Sequence, residues 1–293
     1  MQQKHTGRHL KITKNVTVQP ENSKHTIMNQ PKALIFSGYG LNSEEETAYG
    51  FELAGAMTEI VHINDIIDGK KKLANYQILS FPGGFAYGDD TGAGNAYASK
   101  VKNHLWETIQ NFIQKDKLII GICNGCQIIM NLGLIPAFYG NYDDREVAVV
   151  NNTSARFSNR WVDMKVVSDT PWLKGIDTLS LPIAHGEGNF FTSKENLKHL
   201  QNNKQIALQY INGDICTYLN LPTNPNGSIA DIAGITDETG RILGLMPHPE
   251  RGMFFVQRPD WQLIKETNRR TKKQLPTEGP GLQIFKNAVN YFS

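Results

Sequence analysis

Two cysteines lie where an apolar segment gives way to a helical pattern. The apolar residues 118–122 lead into GICNGCQ at residues 121–127, and isoleucines at the next two positions begin the apolar face of a helix. A residue on so sharp a strand-to-helix turn points its side chain out of the sheet, as in a nucleophile elbow. The helix N-terminus favours negative charge there, and we expect the N–H of Asn124 to bind an oxyanion. We expect Cys123 to act as a nucleophile, and a buried structural thiol is the alternative.

The same segment contains a C-x-x-C pair, formed by Cys123 and Cys126. This pair occurs both in redox dithiols and in zinc sites. Only Cys216 remains as a further cysteine, so four thiolate ligands for zinc are not supplied. A redox dithiol therefore stays open as a second interpretation.

A histidine and a glutamate follow another apolar run, at residues 242–246. In an extended segment, side chains two residues apart point the same way, so the carboxylate of Glu250 can orient the ring of His248. This pattern is typical of a catalytic base with its orienting acid. A surface turn of polar residues beside Pro249 is the alternative.

A second H-x-E occurs at His185 and Glu187. Two such pairs could serve a metal ion, but no H-E-x-x-H spacing accompanies them. We favour a packed or substrate-lining strand and expect no metal.

The glycine-rich residues 83–94 look like a loop that binds phosphate. The loop lacks G-K-[ST], and the carboxylates of Asp89 and Asp90 would repel phosphate. Its backbone N–H groups suit a neutral or oxyanionic group better.

The elements that must position these residues follow from the apolar pattern. We expect a capping box of Ser43 and Glu46 at the start of the first helix. Strands that are apolar on both faces and alternate with helices predict a doubly wound parallel sheet. Such sheets bind ligands at the carboxyl ends of their strands, which is where Cys123 and the glycine-rich loop lie. The predicted strands of this part are residues 32–37, 59–63, 77–81 and 118–122, and the longest helix covers residues 96–114.

After residue 151 the pattern changes to strands and turns. We expect one α/β domain over residues 31–293, with a mostly parallel sheet flanked by helices and an antiparallel extension. The strands predicted for the extension are residues 162–167, 183–191, 206–210, 229–236 and 242–246, and a helix over residues 281–291 ends the chain.

Composition limits the classes of function. The 293 residues are 40% hydrophobic and 20% charged, which is globular composition. Residues 1–30 hold five of the 30 basic and one of the 28 acidic side chains, which leaves 25 against 27, or a net charge of −2, for the remainder. That balance argues against nucleic-acid binding. The apolar runs are far shorter than the ~18 residues that span a bilayer, so we expect no membrane contact.

The first 30 residues lack the apolar region of a secretory signal, and we interpret them as a mobile basic arm. An odd number of cysteines, three, in a long chain without such a signal favours thiols in a reducing compartment. We therefore expect the cytoplasm.

In combination these motifs resemble a class I, or triad, glutamine amidotransferase, a family with a flavodoxin-like fold. More narrowly, they resemble the amidotransferase component of phosphoribosylformylglycinamidine synthase, an enzyme of purine biosynthesis. GLNSEEE at residues 40–46 and the second cysteine of GICNGCQ are similar to the form fused behind a long synthetase chain. The stretches with this resemblance are FPGGFAYGDD (81–90), GICNGCQ (121–127), NNTSARF (151–157), AHGEG (184–188), NPNGS (224–228) and MPHPER (246–251).

The resemblance implies a catalytic triad of Cys123, His248 and Glu250. Cys123 would attack the side-chain carboxamide of glutamine, form a thioester and release ammonia, and water would then free glutamate. His248 would move the protons while Glu250 fixes its tautomer.

The resemblance also implies the groups that bind glutamine. The N–H of Gly84 or Gly83 and that of Asn124 would form the oxyanion hole. Gln127 matches the position that holds glutamine in the family.

The family comparison further implies a partner. A separate large synthetase subunit, with a small accessory subunit allowed for, would use ATP and magnesium to convert formylglycinamide ribonucleotide to formylglycinamidine ribonucleotide. This chain would need no cofactor of its own. Two alternatives remain, an amidotransferase of guanylate or cytidylate synthesis and a non-catalytic regulatory or docking subunit.

Overall fold

The computed structural model describes residues 30–293. Apart from its last residue, the basic arm predicted for residues 1–30 lies outside the described residues. No helix in the described part of the chain is both long enough and apolar enough to cross a bilayer.

The strands and helices alternate in the first half of the chain, as the apolar pattern predicts. Over residues 30–293 the strands are β1 (Lys32–Ser37), β2 (Met57–His62), β3 (Ile78–Phe81), β4 (Leu118–Ile122), β5 (Ala148–Asn151), β6 (Ser158–Val166), β7 (Thr178–His185), β8 (Glu187–Phe191), β9 (Ile206–Ile211), β10 (Ile232–Thr236) and β11 (Ile242–Leu245). The helices are α1 (Glu44–Leu53), α2 (Ile63–Ile67), α3 (Asn95–Ile113), α4 (Asn124–Asn131), α5 (Lys194–Asn202), α6 (Asp214–Leu219), α7 (Trp261–Thr271) and α8 (Leu282–Asn290).

Nine strands form one sheet in the order β2-β1-β3-β4-β11-β10-β9-β6-β7, and β5 pairs with β8 separately. From β2 to β11 all neighbours are parallel. From β11 to β7 all neighbours are antiparallel. The predicted α/β fold, a parallel sheet with an antiparallel extension, is confirmed.

The central strands are buried on both faces, because helices cover the parallel half of the sheet. Every residue of β3, β4 and β11 is buried. The longest helix, α3, buries residues spaced about one turn apart, which is the spacing that places side chains on one helical face. These residues are Tyr97, Val101, Leu105, Ile109 and Phe112. The core therefore holds the carboxyl ends of β3, β4 and β11 rigidly at one edge of the sheet.

Three local predictions are wrong. The strand predicted for residues 183–191 is two strands in different sheets, because the chain breaks at Gly186, whose carbonyl accepts a hydrogen bond from the N–H of Asn152. Residues 229–231 form a 3-10 turn before β10, and Ala230 has a positive φ of 50°.

The third wrong prediction is the capping box. The side chain of Ser43 makes no cap hydrogen bond to α1. Its hydroxyl instead accepts a hydrogen bond of 2.8 Å from Nη2 of Arg251. A partner 208 residues away has displaced the local one.

Candidate active site

Cys123 lies between β4 and α4 in a strained conformation, with φ 51° and ψ −108°. Positive φ is rare for residues other than glycine, and such strain is concentrated at functional sites. The backbone is fixed on both sides, because the Cys123 N–H donates to the carbonyl of Leu245 at 2.8 Å and its carbonyl accepts from Gln127 at 3.1 Å. The elbow predicted from the sequence is present.

Two glycines permit this sharp turn. A Cβ on Gly121 would lie 2.5 Å from the carbonyl oxygen of Gly125. A Cβ on Gly125 would lie 1.8 Å from the carbonyl oxygen of Phe81. The G-x-C-x-G pattern therefore lets the first turn of α4 rest directly on the ends of β3 and β4.

His248 and Glu250 follow β11, the strand that pairs with β4. His248 Nδ1 lies 2.5 Å from Oε1 of Glu250, and both side chains are almost fully buried. Burial alone would lower the pKa of His248, but the carboxylate of Glu250, with a smaller contribution from the Cys123 sulfur, outweighs burial and raises this pKa. The imidazolium form is therefore favoured at neutral pH.

A cavity of about 210 Å³ brings the nucleophile and the base together. His248 Nε2 is buried and has no hydrogen-bond partner among residues 30–293. It is the ring nitrogen left over once Nδ1 faces Glu250, and thus the one available to a thiol proton. The Cys123 thiol lies 3.6 Å from the carbonyl oxygen of Ala184. The lining residues are Asn42, Gly84, Phe85, Cys123, Phe157, Ala184, His248 and Arg251.

The loop after β3 reaches the cavity, since Gly84 lines it together with Cys123. A Cβ on Gly84 would lie 2.5 Å from the carbonyl oxygen of Gly40. The Gly83 carbonyl is held by the N–H of Asn42 at 3.0 Å. Within the described part of the chain, the N–H groups of Gly83, Gly84 and Asn124 donate to no backbone acceptor. Their role as the oxyanion hole stays a prediction that this geometry allows.

The side chain of Asn124 joins the glycine-rich loop to the elbow. Its Oδ1 accepts from the N–H of Ala86 at 2.9 Å, and its Nδ2 donates to Oδ1 of Asp89 at 3.1 Å and to Oε1 of Gln127 at 2.9 Å. Gln127 is buried and donates to the carbonyl of Glu187 at 2.7 Å. In this structure Gln127 thus ties β8 to the elbow, and its contact with glutamine remains a prediction.

The second H-x-E is part of a packed polar cluster. His185 Nδ1 lies 3.1 Å from Oδ1 of Asn152, and burial lowers the pKa of His185 to about 4, so the ring is neutral. Within residues 30–293 no group of three or more potential metal ligands is found. Asn226 donates to the carbonyl of Gly188 at 2.7 Å. The stretches 151–157, 184–188 and 224–228 therefore meet around Gly188 and support the wall beside Gln127.

The C-x-x-C pair does not present two exposed thiols. Cys126 is fully buried, and burial raises the pKa of its thiol well above the ordinary value. Its sulfur lies 2.9 Å from the position that a Cβ on Gly244 would take. Cys216 lies on α6, where its N–H donates to Asp163. The burial of Cys126 argues against a redox dithiol.

Sequence reasoning missed several residues around the cavity. Asn42, Phe85 and Phe157 line it, and so does Arg251. All four lie inside stretches that carry the family resemblance, and Arg251 is also adjacent to Glu250. These stretches are far apart in the sequence, and no spacing rule shows that they meet in one cavity.

Comparison with known proteins gives the family of this chain. A model of the family described as "CobB/CobQ-like glutamine amidotransferase domain" matches residues 30–292. The chain belongs to this amidotransferase family.

Relatives of this amidotransferase share most of their length with it. "Phosphoribosylformylglycinamidine synthase subunit PurQ" from Methanococcus maripaludis is 50% identical to this chain. The alignment covers 90% of this chain and 99% of that protein. The protein of the same description from Dehalococcoides mccartyi is 42% identical over 90% and 98%. The solved "Structure of PurLQS from Thermotoga maritima" has a chain similar to this one with a TM-score of 0.65 and 26% identity, covering 90% of this chain and all of that one.

Proposed function

We propose that this chain is the glutaminase subunit of phosphoribosylformylglycinamidine synthase, in purine biosynthesis. The observation that carries this proposal is that Cys123 and His248 line one cavity. The Glu250 carboxylate lies 2.5 Å from the other nitrogen of the His248 ring. The two relatives described above bear this subunit's name and match nearly their whole length. Cys, His and Glu are the residue types needed for a thioester mechanism.

The first half-reaction releases ammonia. In the imidazolium form His248 holds the proton of the Cys123 thiol on Nε2, and the sulfur attacks the carboxamide carbon of glutamine to form a C–S bond. The N–H groups of Gly84 and Asn124 stabilise the oxyanion, where loss of one donor can cost about 3 kcal/mol. His248 then protonates the leaving nitrogen, and the C–N bond breaks. The products are ammonia and a γ-glutamyl thioester.

The second half-reaction restores the thiol. His248 removes a proton from water, and the resulting hydroxide attacks the thioester carbon. The C–S bond breaks, the proton on His248 returns to sulfur, and glutamate leaves. Glu250 keeps Nδ1 protonated throughout, so that Nε2 remains the nitrogen that exchanges protons.

We further propose that the ammonia passes to a separate synthetase subunit, with a small accessory subunit in the same assembly. In that partner, ATP and magnesium would drive amidation of formylglycinamide ribonucleotide to formylglycinamidine ribonucleotide, a carbon–nitrogen ligation. The relatives are described as subunits, which supports a partner. The three cysteines are free thiols, which supports the cytoplasm as the compartment.

Covalent labelling tests the proposal. The chain would be treated with diazo-oxo-norleucine, a glutamine-like electrophile, with and without the synthetase subunit, and digested for mass spectrometry. We expect label on Cys123 only, stimulated by the partner, because Cys126 is fully buried. Label on Cys126, or no label in either condition, would overturn the assignment.

A substitution at Cys123 distinguishes glutamine hydrolysis in this chain from synthesis in the partner subunit. Cys123→Ala should abolish glutamine-dependent synthesis by the complex and leave ammonia-dependent synthesis intact, since only the thioester step needs sulfur. Equal loss of both activities would contradict the proposal.

A further inference from the structure

Among residues 30–293, Arg251 is the single lysine or arginine that lines the active-site cavity. It follows Glu250 directly and ends a 3-10 turn, Pro249–Arg251. Its side chain is 39% exposed, so the charge lies at the mouth of the cavity rather than in its depth. None of the steps of thioester chemistry requires a cation at this place.

The guanidinium is held in position from the side of α1. Nη2 donates to the hydroxyl of Ser43 at 2.8 Å and lies 3.6 Å from Oε1 of Glu46. Nε lies 3.8 Å from Oε1 of Glu250, beyond hydrogen-bond distance. Nη1 has no hydrogen-bond acceptor among residues 30–293. Arg251 is thus fixed at one nitrogen and keeps donors for a further anion.

Glutamine supplies such an anion. The reaction consumes its γ-carboxamide at Cys123, so glutamine can be told from other primary amides only at its α-carbon end. That end carries a carboxylate, and the planar fork of arginine binds carboxylates through two parallel hydrogen bonds. A cation at the cavity mouth, with the nucleophile deeper inside, suits an extended amino acid with its amide inward.

We propose that Arg251 binds the α-carboxylate of glutamine and thereby determines substrate specificity. This assignment rests on the proposed glutaminase function. A merely structural role, in which Arg251 pins α1 to the turn of Glu250, is the competing explanation. The two differ in outcome, since a carboxylate contact affects only substrates that carry the carboxylate.

The test compares L-glutamine with its α-amide, which keeps the γ-carboxamide but lacks the negative charge. Hydrolysis would be measured in the complex with the synthetase subunit, and mass spectrometry would distinguish loss of the γ-amide from loss of the α-amide. The variants are Arg251→Met, which removes the charge, and Arg251→Lys, which keeps the charge without the fork. Arg269→Met is the matched control, because Arg269 is exposed on α7 and pairs with Glu266.

We expect Arg251→Met to raise KM for glutamine by about 10- to 100-fold with little change in kcat, the size of a charged hydrogen bond. The kinetic constants for the α-amide should stay unchanged, so the preference for glutamine disappears. Arg251→Lys should recover part of it, and Arg269→Met should match the wild type.

Several results would overturn the assignment. One is an equal loss of kcat/KM for glutamine and its α-amide in Arg251→Met, which is expected if Arg251 only holds α1 against the turn of Glu250. Another is wild-type enzyme that hydrolyses glutamine and its α-amide with equal kcat/KM, a result that does not depend on whether any variant folds. Failure of the wild-type complex to hydrolyse glutamine at all would instead refute the proposed function.

Discussion

Replacing Glu250 by glutamine should convert His248 from a charged to a neutral ring. The two side chains meet at 2.5 Å in a buried environment, and the pKa of His248 is raised from 6.5 to about 10. With charges spread over the ring and carboxylate, their centres are about 4 Å apart, where an effective dielectric of about 20 gives about 4 kcal/mol. At 1.36 kcal/mol per unit, this is about 3 pKa units. We therefore expect His248 in Glu250→Gln to titrate at about pH 7 or below, because burial still disfavours the charge.

The assay is an NMR titration of the imidazole nitrogens in both proteins, with His248→Asn used to assign the signal. Glutaminase activity of the complex should fall by about 10²- to 10⁴-fold in Glu250→Gln, since an uncharged amide no longer stabilises the imidazolium. If His248 titrates at the same pH in both proteins, the ion pair does not set its protonation and the reasoning is refuted.

Unfolding experiments give a second readout of the same change. A raised pKa in the folded state means that the ion pair contributes fully below the unfolded pKa of 6.5 and is lost as the pH rises through about 10. The wild-type free energy of unfolding should thus fall with pH in this window by up to about 1.4 kcal/mol per unit. Glu250→Gln should show a smaller fall in urea titrations.

Three further substitutions test the packing around the site. The pKa of His185 is lowered to about 4, so between pH 6.5 and about 4 this histidine is protonated in the unfolded chain but not in the folded one. The free energy of unfolding should therefore decrease by up to about 3 kcal/mol as the pH falls. His185→Asn keeps a donor towards Asn152 and should lose this acid sensitivity in urea titrations; an unchanged slope would contradict a neutral His185. Gly125→Ala, whose Cβ would overlap the carbonyl oxygen of Phe81, should cost at least about 2 kcal/mol of unfolding free energy. Gly186→Ala meets only Phe157 at 3.9 Å and should cost less than about 1 kcal/mol, so similar losses in the two would argue against the tight elbow.

Much of the fold can be predicted from the sequence, because the patterns that indicate strands and helices are local. Residues 118–122 are predicted as a strand and form β4 with the same bounds, since a run buried on both faces is apolar at every position. Residues 183–191 are predicted as one strand and form two, because the break at Gly186 is set by Asn152, which is distant in the sequence. Ser43 fails as a cap for the same reason, as its hydroxyl is taken by Arg251.

The sequence by itself determined the elbow at Cys123 and the pairing of His248 with Glu250, because each depends on spacings of a few residues. Only the tertiary structure decided that these two motifs share one cavity. The pairing of β4 with β11 brings Ile122 beside Leu245 and so places Cys123 near His248, although 125 residues separate them. The rest of the cavity, including Phe157 and Arg251, comes from segments whose meeting depends on the packing of the whole sheet, and no local spacing in the sequence shows which segments meet.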